Sequence, residues 1–213
     1  MAVTQIPDWF RDDHHENEIE SRALDIGYER ALREIDALSV NIANGWGERE
    51  VQGYLLDRPY LLLGRQRTGH GTYAFGEAAL GGQYRIDWAV ASGSSGGLSW
   101  ELIELETPRK LPFKVNGHLS EAARGGVEQI KSWRIWLQKN ADYAQRPKTR
   151  SGLGYHDSCF NHGIVVVGRR LQYEAAKGRA HYNDMRRAMK TESHIELMSY
   201  ETFLESLRFR FSK

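Results

Sequence analysis

The chain has 213 residues, 40% of them hydrophobic, and this predicts one domain with a proper core and no room for a second catalytic one. Lysines and arginines number 29 against 28 acids, so a global positive field is excluded and any nucleic-acid contact must use a local patch. A single cysteine rules out an internal disulfide, and no apolar run approaches the roughly 20 residues of a membrane span.

The N-terminal stretch MAVTQIPDWFRDDHHENEI lacks the basic start and apolar centre of a signal peptide, so a cytoplasmic protein is expected. Residues 1 to about 16 read as an arm, anchored by Trp9 and Phe10. From about Asn17 to Val40, Leu24, Tyr28, Ala31, Ile35 and Leu38 recur at helical spacing along one seam. That seam has two readings, packing on the chain's own core or contact with another subunit in a homo-oligomer. Residues 1–45 are therefore set apart as an N-terminal arm and helix, a candidate oligomer contact, ahead of a domain spanning 46–213. A second helix is predicted from Glu48 to about Asp57, stopped by Arg58-Pro59, with Val51, Tyr54, Leu55 and Leu62 pointing inward. Glu48 in its first turn either complements the helix dipole or looks towards a site.

TYAFGEA reads as β structure, which removes the context that Gly69-x-Gly71-x-x-Ala74 would need as a nucleotide loop. The next stretch, QYRIDWAVASGSSGGLSWELIELETPRK, is the most informative of the chain. Residues 83–91 alternate in the strand period, with Tyr84, Ile86, Trp88 and Val90 on one face. SGSSGG is turn material, and 98–106 is a second strand, so the segment is a β-hairpin. Gly93-x-Ser95-x-Gly97 then joins strand to strand, whereas a serine-hydrolase elbow joins strand to helix. A loop centred between Ser95 and Gly96 sets Trp88 opposite Ile103, Ala89 opposite Leu102, Asp87 opposite Glu104, Ile86 opposite Leu105 and Arg85 opposite Glu106. Opposed side chains have Cβ atoms roughly 5 Å apart, and two carboxylates that close repel unless a cation sits between them. A divalent metal is the natural cation. The competing reading is a register off by two, with both acids at a solvated sheet end.

After Glu106 comes a basic loop carrying Arg109, Lys110 and Lys114, suited to a phosphate backbone. A helix from about Leu119 to Asn140 buries Leu119, Ala123, Ile130, Trp133 and Leu137, with Gln129 and Lys131 beside the stripe. The polar loop that follows holds His156, Cys159 and His162, a weak zinc pattern without a fourth ligand. Ile164 to Val167 is a buried strand. A polar helix at about Leu171 to Lys190 carries Arg186, Arg187 and Lys190, most simply a solvated face. HIELMSY is a short strand, and ETFLESLRFRF a last helix. The order is helix, three strands, helix, strand, helix, strand, helix, an α/β fold with a central sheet flanked by helices.

In that order, GEREVQGYLLDRPYLL, YRIDWAV with WELIELETPRK, GGVEQIKSWRIWL, IVVVGRR and IELMSYETFLESLR together resemble the nuclease domain of the Shedu-type anti-phage defence proteins, within the PD-(D/E)XK nuclease superfamily. The resemblance covers most of residues 47–209. It implies a restriction-endonuclease-like core with a central mixed sheet in α-βββ-α-β order, and an Mg2+- or Mn2+-dependent endonuclease acting on double-stranded DNA. It makes Asp87 and Glu104 metal ligands, Glu48 the helix-borne carboxylate near the metal and Gln129 the residue facing the site from the second helix. It also implies assembly as an oligomer. One position departs from the family: the usual Glu-x-Lys is Glu104-Leu105-Glu106. A lysine there would position or deprotonate the attacking water, whereas Glu106 is suited to act as a general base, to bind the metal, or to pair with Arg85. Lys110, Lys114 or Lys131 then has to supply the positive charge. The alternative function is a catalytically silent nuclease-fold protein that binds DNA or a partner subunit.

Overall fold

The computed structural model describes residues 28–65, 72–94, 97–114, 116–146, 151, 153, 162–171, 179–209 and 211. Helix α1 (Tyr28–Ala43) and helix α2 (Glu48–Leu56) lead through a 3-10 segment (Pro59–Arg65) into strand β1 (Thr72–Leu80). Strands β2 (Tyr84–Ser94) and β3 (Gly97–Leu105) form the hairpin, followed by helices α3 (Glu121–Lys139) and α4 (Ala141–Gln145). Strand β4 (His162–Val166), helix α5 (Arg179–Ser193), strand β5 (Ile195–Met198) and helix α6 (Tyr200–Arg208) complete it. The predicted order is found, with the 3-10 segment and the short helix α4 as additions, and the fold is α/β with a mixed five-stranded sheet flanked by helices.

The sheet runs β1-β2-β3-β4-β5, antiparallel over the first three strands and parallel from β3 to β5. Antiparallel neighbours need only tight turns, whereas each parallel step needs a crossover. Helix α3 supplies the first crossover and α5 the second. Both lie on the face where Trp100, Leu102, Val165 and Leu197 meet Ala123, Val127, Ile130 and Trp133 of α3, with Met185 and Met189 of α5 packed against them. On the other face α1, α2, the 3-10 segment and α6 cover Trp88, Val90, Ile103, Leu105, Ile164 and Val166.

The apolar seam of α1 is part of this second core. Ala31, Ile35 and Leu38 are fully buried and Ile42 nearly so, among Val51, Leu55, Phe203 and Leu207. Of the two readings of the seam, packing on the chain's own core is therefore the one realised at Ala31, Ile35 and Leu38; Tyr28 is exposed, and Leu24 lies outside the described part. The helix continues past the predicted end at Val40 to Ala43, where Gly45 at φ +100° turns the chain. The Glu50 carboxylate accepts the Gly47 N–H at 3.0 Å and so fixes the start of α2.

In the hairpin the predicted register holds: Trp88 faces Ile103 and Ala89 faces Leu102. The turn is tighter than SGSSGG suggested, because pairing continues to Ser94 and Gly97. The predicted alternation breaks, however. Ile86 packs with Ala89 and Ala91 against α3, while Trp88 and Val90 face the other core, so Ile86 and Trp88 do not share a face. On β1, Ala78 likewise joins Tyr73 instead of Ala74. The break lies between the pairs Gly76–Trp88 and Ala78–Ile86, where the Glu77–Asp87 ladder pair is missing and Glu77 has φ +50°. A non-glycine residue at positive φ swings the strand out of the pleat, and side chains on either side change faces.

Candidate functional site

The face change sets Asp87 where β2 and β3 part. The ladder runs from the hairpin turn down to Trp88–Ile103 and stops. Beyond it the Asp87 side chain takes the place of the missing backbone pairing, its Oδ2 accepting the Leu105 N–H at 2.9 Å. Strand β3 turns to its other neighbour, with Glu106 N donating to Val166 O at 2.8 Å. The expected ladder oppositions Asp87–Glu104, Ile86–Leu105 and Arg85–Glu106 therefore do not form. Arg85 instead pairs with Glu77 at 3.3 Å, which leaves Glu106 without the ion pair that the register implied.

The gap between the strands is filled with acid. Glu104 is 5% exposed, one of its oxygens accepting a hydrogen bond from Gln129 Nε2 of α3. Its other oxygen, Oε2, is buried without a donor. The Asp87 and Glu104 carboxyls lie near enough to act on each other directly. Burial, then the neighbouring Asp87 and Glu106 charges, push Glu104 up to about 10. Burial lifts Asp87 to about 6, opposed by the Leu105 N–H and reinforced by Glu48. Glu106 rises to about 7 through burial and the Glu48 and Asp87 charges, with Lys110 and the Gly126 backbone pulling it down. Glu48 is raised by burial and in turn acts through space on the other three.

Each acid is held from a different element. Gln52, one turn after Glu48 on α2, accepts Trp88 Nε1 at 2.8 Å and reaches the Asp87 carbonyl at 3.5 Å. That link docks the start of α2, and with it Glu48, onto β2. On α3, Gly125 and Gly126 form a notch for Glu106: a Cβ at Gly125 would lie 3.3 Å from Glu106 Oε1, and one at Gly126 only 2.7 Å from Val165 Cγ1. Only glycine lets the helix approach the strands this closely. Below the acids, fully buried Tyr200 donates from its hydroxyl to the Glu106 carbonyl at 2.6 Å. Burial and all four acids push its hydroxyl well above the usual phenol value.

Asp87, Glu104, Glu106 and Glu48 thus act on one another across the gap, and Gln129 bonds Glu104; these are the residues that the hairpin and the family resemblance singled out. Gln52 and Tyr200 were missed; spacing alone singles out neither, although Gln52 lies one helical turn from Glu48. The expected backbone-binding cations stand around the site with different degrees of freedom. Lys110 lies beside Glu106 and Lys114 is exposed on the loop before α3. Lys131 pairs with Glu128 at 2.8 Å, and Arg109 donates from Nη2 to the Gly45 carbonyl, tying its loop to the α1–α2 turn. Of the weak zinc pattern, His162 opens β4, while His156 and Cys159 lie outside the described residues.

Among the described residues no three His, Cys, Asp or Glu side chains converge on one point as metal ligands. The donor set nevertheless fits a small hard cation. Mg2+ is held by one or two carboxylates and keeps several waters, and Asp87 with the donorless Glu104 Oε2 offers such a pair. Among the described residues no helix is long and apolar enough to cross a membrane. No curated protein matches the chain. The family model described as Shedu protein SduA, C-terminal, matches residues 46–204, well over half of the sequence, and the chain accordingly belongs to that Shedu family.

Proposed function

We propose that the chain is an Mg2+- or Mn2+-dependent DNA endonuclease of an anti-phage defence system, built on a PD-(D/E)XK-type core and working in the cytoplasm. The observation that carries this reading is the buried Asp87–Glu104 pair at the point where β2 and β3 part, with Glu104 Oε2 lacking any donor. Asp87 and Glu104 would hold the ion, with Glu48 facing the same space. Bound there, the ion would polarise a phosphodiester and lower the pKa of a coordinated water.

The chain's own residues divide the remaining work. Gln129 orients Glu104 by donating to one of its oxygens. Gln52 keeps the Asp87 backbone in place. Glu106, free of Arg85 and poised near neutrality, accepts the proton of the attacking water at its carboxylate. Lys110 beside it supplies positive charge near the scissile phosphate, in place of the lysine that the family motif would have at position 106.

A second reading has its own support. With no three acids converged and glutamate at position 106, a silent DNA-binding member of the fold is consistent with the geometry. The two separate in one experiment, cleavage of linear and circular duplex DNA with Mg2+ or Mn2+ by wild type, Glu104→Ala and Glu106→Lys. The endonuclease reading expects cleavage by wild type that Glu104→Ala abolishes with the fold intact. Wild type that is silent under every divalent ion, with cleavage restored by Glu106→Lys, establishes the binding protein instead.

A further inference from the structure

The basic run on α5 has no part in the acid site. Asn183, Arg186, Arg187 and Lys190 recur at helical spacing on one side of the helix, which packs along the edge strand β5. A simple solvated face would leave these side chains to water. Here Glu196 of β5 stands among them, its side chain only 13% exposed, with Oε1 accepting from Arg186 Nη2 at 2.7 Å and Oε2 from Lys190 Nζ at 2.9 Å. Arg186 Nε is anchored on the Leu197 carbonyl at 2.7 Å. One acid thus fixes two cations and has both oxygens occupied. Among the described residues, Arg187 and Asn183 make no hydrogen bond or ion pair. Together with Arg186, Lys190 and Glu196 they line an open cleft of about 270 Å³.

We propose that this cleft binds a phosphoryl group, and that its natural occupant is a backbone phosphate of a nucleic-acid strand. Three cations against one saturated carboxylate leave a local positive excess held in a fixed geometry, which suits a phosphate oxygen. Among the described residues no aromatic or aliphatic side chain lines the cleft, so they offer a free nucleotide no platform for its base. A strand gripped elsewhere needs none. Glu196 pairs across β4 with Ile164, which faces Ile103 of β3, the residue before Glu104. Two interstrand spacings separate their backbones, about 10 Å. That the strand is duplex DNA rests on the function proposed above; the phosphoryl chemistry does not.

Arg187 is the clean probe, because it holds nothing else in place. Affinity for a short duplex is measured against salt in EDTA, where cleavage plays no part, for wild type, Arg187→Gln and the exposed α1 control Arg33→Gln. A second arm compares melting temperatures in inorganic phosphate and in chloride at matched ionic strength. The proposal expects Arg187→Gln alone to lower the slope of log affinity on log salt by about 0.9, the loss of one phosphate contact. An unchanged slope in Arg187→Gln, with wild type binding DNA, overturns the site and leaves the endonuclease reading standing. If wild type binds no duplex, the DNA reading falls and the phosphate arm decides. A stabilisation by phosphate that Arg187→Gln removes keeps the site for a smaller phosphate-bearing ligand; no such stabilisation overturns it.

Discussion

Glu104→Gln should stabilise the metal-free protein. The amide is isosteric, its oxygen can still accept from Gln129 Nε2, and its NH2 can donate towards the neighbouring Asp87. The wild-type carboxyl starts from an ordinary 4.5 and sits at about 10 in the fold. A folded value above the unfolded one means that the native state binds the extra proton. This contribution to stability is complete below pH 4.5 and is lost as pH rises towards the folded value. The loss accumulates at about 1.4 kcal/mol per pH unit, which sets a ceiling of about 3 kcal/mol at pH 7. The variant has no such proton to keep. Urea denaturation in EDTA should show the two proteins nearly equal at pH 5 and the variant ahead by up to about 3 kcal/mol at pH 7. Adding Mg2+ should then narrow the gap, since the ion stabilises only the wild-type site. A gap that stays flat between pH 5 and pH 8, or a variant less stable throughout, would refute the buried, proton-holding carboxyl.

Glycines provide a test with opposite signs. Gly126→Ala would place a Cβ 2.7 Å from Val165 Cγ1 and 3.3 Å from Glu106 Cγ, an overpacking of roughly 1–3 kcal/mol that outweighs the roughly 1 kcal/mol gained in helix propensity. Gly53→Ala on α2 meets nothing within 4 Å and should stabilise by up to about 1 kcal/mol. Urea midpoints of both variants check the pair, and equal signs would contradict the close approach of α3 to the strands. Metal binding should release protons, because an ion at Asp87 and Glu104 must displace those that the raised carboxyls carry. Apparent Mn2+ affinity should therefore climb between pH 6 and pH 8, and calorimetry in buffers of different ionisation enthalpy should detect the released protons. Binding that is independent of pH would place the ion elsewhere.

The legible part of the molecule is the part governed by local rules. Hairpin register followed from loop length and apolar pairing, and Trp88–Ile103 and Ala89–Leu102 are opposed as expected. Ile164, Val165, Val166 and Val167 announced a buried strand, and all four are fully buried. The acids of the hairpin also stood out, since two carboxylates expected to oppose each other among apolar pairs have no structural excuse, although Asp87 and Glu104 meet where the ladder has already ended. The face change at Glu77 and Asp87 was not, because a strand pattern read by alternation assumes an unbroken pleat. Gly76 beside Glu77 was the one available hint of a distorted strand. Once the strands part, the pairings extrapolated past Asp87 fail with them, Arg85–Glu106 included. Tyr200 was hidden for another reason: its hydroxyl bonds a residue 94 positions away, and no sequence period reports such a contact.

Several departures from local rules meet at one spot. A non-glycine residue at positive φ, a lost ladder pair, a carboxylate buried without a donor and a glycine notch in a helix all border the Asp87–Glu104 gap. Each is unfavourable taken alone: positive φ strains the backbone, the missing pair forfeits sheet bonding, and adjacent buried acids repel. Each kind also occurs elsewhere, as positive φ does at Ser151 and His194, but here four kinds coincide. Their concentration here, set against the orderly cores on both faces, is the pattern of a site shaped for something the chain does not itself supply. The charge that would relieve most of them at once is positive and small enough to sit between two carboxylates. Neither Lys110, outside at Glu106, nor Arg85, paired with Glu77, occupies that position. On this argument, and with the function proposed above, Glu106 is no lapse from a lysine motif but would be a fourth acid in a site whose positive charge a bound metal would bring.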